Sequence, residues 1–166
     1  MTTTISPQPV SAMTVTRVAR REYQLRDEDG RLCASLRVGW PVRRGEISIG
    51  HETVSVRRSA WGQVRAGDGD QPLVRLSRTT SVLPGGEQDA RWAITRTLRA
   101  YTGTLTRGDE TMVIHLPALS GRPLSIDITG DWQRRDLVVL TACFALLARR
   151  RRDIAIMIAV SGSHGS

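Results

Sequence analysis

A run of twelve residues, 137–148, limits what this chain can fold into more than any other feature, because only Thr141 interrupts its apolar side chains. The run is rich in Leu and Ala and is too long for a typical strand, so it predicts an α-helix. Asp131 is predicted to cap the start of the helix and four arginines, 149–152, to end it, which is the charge order that favours a helix dipole. A helix that is apolar on all faces must be buried on all sides. We therefore expect a buried central helix over about residues 131–150.

A membrane span is the other setting for such a helix, and the length of the run argues against it. A spanning helix needs about 20 apolar residues. The second apolar run, 154–160, has only seven residues. The sequence therefore does not predict a membrane-spanning chain. Residues 154–160 fit an extra strand, a second helix or an interface element, and the pattern leaves these three open.

Short β-like runs separated by turn residues occupy the segment 23–129. Residues 32–38 alternate between apolar and other side chains, which is the pattern of a half-buried strand. Asp68-Gly69 lies between two further alternating runs and predicts a hairpin. We count about ten strands at the spacing that is typical of an all-β barrel or sandwich.

The strands and the helix together pose one packing problem, since each strand has one apolar face and the helix is apolar all round. A sheet that wraps around the helix solves it, and closure also removes exposed edges. A helix about 10 Å in diameter fits a barrel of more than eight strands. The predicted fold is mainly β: an antiparallel barrel of about ten short strands around one central, hydrophobic, C-terminal helix.

The chain length of 166 residues indicates a single domain, which we predict over residues 19–160. Residues 1–18 are predicted to form a flexible tail, because their first part is polar and contains two prolines. Residues 161–166 are small and polar and are predicted to be disordered. The N-terminus lacks a basic region followed by an apolar one, so we expect no secretory signal and a cytoplasmic protein.

The composition removes several classes of enzyme. All 24 cationic residues are Arg, and the chain contains neither Lys nor Asn. Without Lys there is no Walker-type phosphate loop and no Schiff-base or general-base lysine. The two cysteines, Cys33 and Cys143, are predicted to be reduced core residues.

The order of features resembles the tubby C-terminal-like superfamily, which includes LURP-one-related proteins and phospholipid scramblases. The matching stretches are residues 23–27 with Asp29-Gly30, the Trp61 strand with residues 68–70, and residues 130–132 leading into the apolar helix. The resemblance covers roughly residues 21–149. It implies a barrel around a buried helix and a lipid- or protein-binding module without catalysis; tubby-type domains use basic surface residues for phosphoinositides. The strand region is short for the family, which implies a reduced or incomplete barrel, and residues 154–160 continue past the usual end.

No catalytic or metal-binding pattern stands out. His51-Glu52 begins like a metalloprotease motif, but the second His is absent. Asp27 and Asp29 precede Gly30 as in a turn, and no Glu closes a calcium loop at its twelfth position. We therefore expect no enzyme activity, no metal and no cofactor.

The candidate binding residues are arginines that occur in pairs and in one run of four. The planar guanidinium fork suits phosphate and carboxylate groups, although a solvated surface would also account for such pairs. The leading hypothesis is a binding module for an anionic lipid surface or a protein partner. One alternative is an assembly subunit that uses residues 154–160, and another is a weak nucleic-acid binder. The four Trp, at positions 40, 61, 92 and 132, are predicted to pack in the core and at the barrel ends. The candidate arginines are Arg43, Arg44, Arg57, Arg58, Arg134, Arg135, Arg149, Arg150, Arg151 and Arg152.

Overall fold

Eleven strands and one helix make up the protein in a computed structural model that describes residues 10–59, 61–85, 89–119 and 121–163. The strands alternate in burial along their length, as side chains of a sheet with one buried face do. The strands are β1 (Val10–Ala19), β2 (Glu22–Arg26), β3 (Leu32–Val38), β4 (Arg44–Ile49), β5 (Glu52–Arg58), β6 (Val64–Ala66), β7 (Val74–Leu76), β8 (Arg91–Arg96), β9 (Ala100–Arg107), β10 (Glu110–Pro117) and β11 (Leu124–Thr129). The helix, α1, spans Arg135–Gly162.

The strands form one antiparallel sheet in the order β7-β6-β5-β4-β3-β2-β1-β11-β10-β9-β8. The sheet curls until its two edge strands, β7 and β8, approach each other. Isolated bridges between Arg75 and Val82 and between Ser81 and Ala90 connect the chain across this seam. The result is a nearly closed barrel, which confirms the predicted fold class.

The buried part of α1 fills the barrel. All residues from 137 to 148 are buried, and Phe144 is among the largest fully buried side chains. The one polar member, Thr141, donates its hydroxyl to the Leu137 carbonyl at 2.7 Å, so this hydroxyl is paired inside the core. This part of α1 is the predicted central helix.

The ends of α1 differ from the prediction. The residue before the helix is Arg134, in the left-handed conformation at φ 49° and without a side-chain cap, so Asp131 is not the cap. The helix continues through residues 149–152 to Gly162 instead of ending near 150. Arginine is a good helix former, and no Gly or Pro interrupts the chain before Gly162. Residues 154–160 are therefore a continuation of the same helix, one of the three structures left open above.

The predicted N-terminal tail, residues 1–18, differs from the structure over residues 10–18, which belong to β1. Strand β1 occupies the centre of the sheet and pairs with both β2 and β11. Met13 and Val15 are buried, and their alternation with exposed neighbours gives this stretch one apolar face. Residues 1–9 and 164–166, where we predicted flexible or disordered ends, lie outside the described residues. Residues 161 and 162 belong to α1.

The predicted turns and cysteines have their expected roles with one difference. The Asp68-Gly69 turn joins the antiparallel pair β6 and β7 and holds Gly69 at φ 86°. Asp27 accepts the backbone amides of Asp29 and Arg31 at 3.0 and 2.9 Å, which is a plain turn. Both cysteines are free; Cys143 is buried in the core, whereas Cys33 is only half-buried.

In the part of the chain that the structure describes, no helix has both the length and the apolar character that a membrane crossing requires.

Candidate functional site

The barrel has two chemically different ends. In an antiparallel sheet of this order, alternate connections lie at the same end, and α1 enters at one end and leaves at the other. We call the end where α1 leaves the basic end and the opposite one the acidic end. The connections of the basic end are 20–21, 39–43, 59–63, 77–80, 97–99 and 118–123, and those of the acidic end are 27–31, 50–51, 67–73, 83–89, 108–109 and 130–134.

Charge is sorted between these ends. The connections of the basic end contain six arginines and no Asp or Glu. Those of the acidic end contain, among the residues that the structure describes, eight carboxylates and two arginines. The six arginines are Arg20, Arg21, Arg43, Arg78, Arg99 and Arg122. The net charge of +8 is therefore concentrated at one end of the molecule.

Residues 149–152, which we call the arginine collar, form the turn of α1 that crosses the rim of the barrel. Arg150 donates to the Pro117 carbonyl at 3.1 Å, and burial lowers the pKa of its guanidinium. The guanidinium carbon of Arg151 lies 3.8 Å from the centre of the Trp40 ring, within cation–π distance. The collar thus attaches α1 to the rim at two points, Pro117 and Trp40.

A cavity of about 510 Å³ opens beside the collar. Four arginines line it, together with the hydroxyl-bearing Ser77 and Thr79 and an apolar wall that includes Trp92. None of its lining residues is acidic. The four arginines are Arg58, Arg78, Arg149 and Arg152.

The guanidinium groups that line this cavity lie close to one another. Burial lowers the pKa of Arg58, and the nearby charges of Arg152, Arg43 and Arg149 lower it further. Arg149 has Asp153 as a partner at 3.3 Å, whereas Arg58, Arg78 and Arg152 form no ion pair within the described residues. Like charges in a partly buried space are unfavourable unless an anion joins them. The cavity can therefore hold an anionic group between guanidinium forks.

Asp153 fixes the direction in which α1 leaves the barrel. Its carboxylate is almost completely buried and accepts the Tyr101 hydroxyl at 3.0 Å. Arg96 and Arg149 reach the same carboxylate at 3.2 and 3.3 Å. The pKa of Tyr101 is raised by burial and by this bond to Asp153. Strand β9 and the helix are thus joined directly beyond the apolar core.

The structure brings eight of the ten candidate arginines to the basic end. Arg44 and Arg57 lie opposite each other on the outer face of β4 and β5 and are exposed. Arg43 precedes β4, Arg58 lines the cavity, and the remaining four form the collar.

Arg134 and Arg135 lie at the acidic end, away from the other eight. Arg134 pairs with Glu52 at 2.5 Å, and Arg135 lies 3.6 Å from Asp136. These two arginines therefore already have carboxylate neighbours and do not contribute to the basic end.

The sequence analysis did not single out Arg78, Arg99 and Arg122 or a set of exposed apolar side chains at the same end, and it left the adjacent pair Arg20 and Arg21 out of the candidates. Trp40 and Trp61 lie at an end of the barrel, one of the two predicted places, but they are 59% and 92% exposed and so are not buried there. Leu98 and Leu119 are 100% and 71% exposed. The signal that could have found them is the alternation of connections: every second turn of an antiparallel sheet lies at the same end.

The other two tryptophans are buried as predicted. Trp92 covers Gly103 of the adjacent strand so closely that a Cβ there would overlap the indole. Trp132 donates its indole N–H to the Thr129 carbonyl at 3.0 Å and closes the acidic end.

Metal-ligating side chains are not grouped in the part of the chain that the structure describes. The described residues contain no group of three or more His, Cys, Asp and Glu side chains that could hold a metal ion. His51 lies in the turn before β5, and Glu52 is engaged by Arg134.

Comparisons with known proteins show the fold. No protein-family model matches this sequence, and no curated protein matches it. Among solved structures, the X-ray structure of the protein AT5G01750 from Arabidopsis thaliana is similar, with a TM-score of 0.50 and 14% sequence identity. The match covers 83% of this chain and 91% of that chain. At this identity the similarity concerns the fold alone.

Proposed function

We propose that the protein is a non-catalytic module that docks its basic end onto an anionic lipid surface. The observation that carries the proposal is the sorting of charge between the two ends of the barrel. A membrane surface with anionic lipids attracts basic residues with about 1 kcal/mol per Arg near the surface. Arginines lie on or beside all six connections of this end. Such a spread of positive charge suits a broad, flat target better than a narrow ligand.

The arginine-lined cavity supports the same proposal. Three of its arginines have no carboxylate partner among the described residues, and two hydroxyl side chains lie beside them. A single phosphate or carboxylate of a lipid headgroup would neutralise part of this crowded charge.

The resemblance to the tubby C-terminal-like superfamily points in the same direction, since tubby-type domains bind lipid headgroups with basic residues. The cytoplasmic location expected from the sequence is part of the proposal, because the cytoplasmic leaflet carries the negative surface potential that the basic end requires.

Assembly with a protein is the second candidate function, and one observation favours it. Residues 155–162 of α1 are exposed, and the apolar part of this segment could pack against a second copy or another protein. Such packing would not use the charge of the collar, which is why lipid docking is preferred.

The test compares two charge reversals of equal size at opposite ends. Arg99→Glu with Arg122→Glu changes two exposed arginines of the basic end, and Arg31→Glu with Arg91→Glu does the same at the acidic end. Each pair removes four units from the net charge of +8. We expect the first pair to weaken binding to phosphatidylserine-containing vesicles at low salt at least about tenfold, and the second to change it much less. Co-sedimentation measures both.

Three results would contradict the proposal. The first is failure of the unchanged protein to sediment with anionic vesicles at low salt. The second is an equal loss of binding in both reversals, which would indicate an effect of net charge without an oriented surface. Binding to duplex DNA that exceeds binding to vesicles and falls steeply with salt would assign the basic end to nucleic acid.

A further inference from the structure

The last part of α1 is an apolar helix outside the barrel. Residues 154–160, which we call the helical tip, are seven consecutive apolar residues, and all but the first are exposed. Ile156, Ile158 and Val160 are 51%, 67% and 60% exposed. A helix with no polar face is normally buried in a core or in lipid. The tip therefore lacks the environment that its composition requires.

Exposed apolar side chains on the connections surround the base of the tip. Trp40, Trp61, Leu98 and Leu119 come from four different connections, and all four connections belong to the basic end. Trp and Leu beside arginines are the residues that occupy the boundary between headgroups and acyl chains. Isolated exposed apolar residues are common on protein surfaces, but four on the connections of the end from which a bare apolar helix leaves are more than scattered exposure.

The order of cationic and apolar residues along α1 matches the headgroup and acyl-chain layers of a bilayer. The arginine collar crosses the rim, and the helical tip follows it after the single residue Asp153. Seven residues of helix extend about 10 Å, and an interfacial segment buries its apolar side about 5–10 Å below the headgroups. Guanidinium groups at the rim would then lie at the depth of the phosphates while the tip lies among the upper acyl chains.

The direction of the tip is fixed, so insertion needs little reorganisation. Asp153 lies between the collar and the tip and is held by Tyr101, Arg96 and Arg149. The exposed tip is continuous with the helix that fills the barrel. A preorganised element loses less conformational entropy when it binds.

We infer that the helical tip, with Trp40, Trp61, Leu98 and Leu119 around it, inserts into the outer acyl region of an anionic bilayer. The inference rests on the proposed function and adds penetration to it: contact of the basic end with a membrane is partly hydrophobic and not only electrostatic. A second copy of the chain would leave the collar without a counter-charge, whereas an anionic bilayer satisfies both the apolar tip and the arginines.

The experiment uses the full chain and vesicles of phosphatidylcholine and phosphatidylserine. The test variant is Ile156→Ser with Ile158→Ser, and its matched control is Leu32→Ser with Leu73→Ser, two exposed apolar residues outside the basic end. Salt at 0.5 M shortens the screening length to about 4 Å and removes most of the electrostatic attraction. The unchanged protein and the control should remain bound at that salt, and the tip variant should lose at least about tenfold in partitioning.

Fluorescence reports the depth of insertion in the same samples. Trp40 and Trp61 are exposed at the basic end, whereas Trp92 and Trp132 are each only 5% exposed. Lipids with brominated acyl chains should quench the exposed pair, and Trp61→Phe should remove a large part of the quenching. Unchanged circular dichroism of the Ser variants confirms that the barrel is folded.

The possible failures are distinguishable. Binding that disappears entirely at 0.5 M salt, without quenching by brominated chains, overturns insertion and leaves electrostatic docking in place. Absence of vesicle binding at low salt overturns the proposed function and the inference together. A stable dimer that Ile156→Ser with Ile158→Ser dissociates, without any quenching, assigns the tip to a second copy instead.

Discussion

Asp153 connects three groups at the point where α1 leaves the barrel. Its carboxylate accepts from Tyr101, Arg96 and Arg149, and its side chain is only 10% exposed. A buried carboxylate with three charged or polar partners contributes much more than an exposed ion pair does. We therefore regard Asp153 as the residue that orients the helical tip.

Replacing Asp153 with Ala should lower the free energy of unfolding by about 1–3 kcal/mol, because a buried hydroxyl and two guanidinium groups lose their shared partner. Urea unfolding measures the change. Glu22→Ala is the control, since its pair with Arg37 is exposed and is expected to contribute under about 1 kcal/mol. Equal effects of the two substitutions would contradict the role given to Asp153.

Individual residues show which parts of the basic end could be predicted from the sequence and which could not. The pairs at Arg43, Arg58 and the collar were identifiable as candidates because they are adjacent in sequence. Arg78 was missed because it stands alone in sequence and meets Arg58 only when the chain folds. Trp40 and Trp61 were misplaced because an indole is usually buried, and nothing local distinguishes them from Trp92 and Trp132.

The helix α1 has two parts that differ in environment and not in local conformation. Residues 137–148 are buried inside the barrel, and residues 155–162 are exposed beyond it. The sequence predicted the buried part from its composition. It could not predict the exposed part, because the point at which a helix leaves a barrel depends on the length of the surrounding strands.

One substitution in each part of α1 separates these environments. Leu140→Asp places an unpaired charge at a site that is fully buried, so the chain should fail to fold. Ile158→Asp places the same group at a site that is 67% exposed, and the barrel should keep its stability within about 0.5 kcal/mol. Circular dichroism and thermal unfolding distinguish the two; a folded Leu140→Asp variant would contradict a central helix.

Strand β1 illustrates a different limit of prediction at this scale. Its side chains alternate between apolar and polar without a continuous apolar stretch, and it was predicted as part of a tail. Of its two partners, β2 follows after a turn of residues 20–21, whereas β11 comes from the far end of the strand region. Half of its residues are β-branched, so intrinsic propensity favours a strand as well, and pairing on both edges, with Met13 and Val15 buried, completes it.

The whole molecule is a barrel with opposite charge at its two ends. The predicted barrel and its central helix were correct because both follow from apolar periodicity. The separation of charge between the two ends was not predicted. The arginines were grouped by adjacency in sequence, and their connections were not assigned to the two ends of the barrel. Once the connections are assigned, Arg134 and Arg135 separate from the other eight candidates without further information.

The barrel should not depend on its helical tip. Deleting residues 155–166 removes only segments that follow the last buried residue of α1, so the free energy of unfolding should change by less than about 1 kcal/mol. Urea unfolding and sedimentation of the truncated chain measure stability and size. Loss of the folded barrel on truncation would mean that the tip packs against the core.

The position of α1 in chain order has a consequence for biosynthesis. The ribosome completes all eleven strands before it makes the helix that fills them. Until residue 148 has left the exit tunnel, the inward faces of the strands have no core against which to pack. Such a chain is exposed to aggregation during its synthesis, as folding intermediates with open apolar surface are. The barrel can therefore close only once residues 137–148 are available, although all of its strands precede them in the chain.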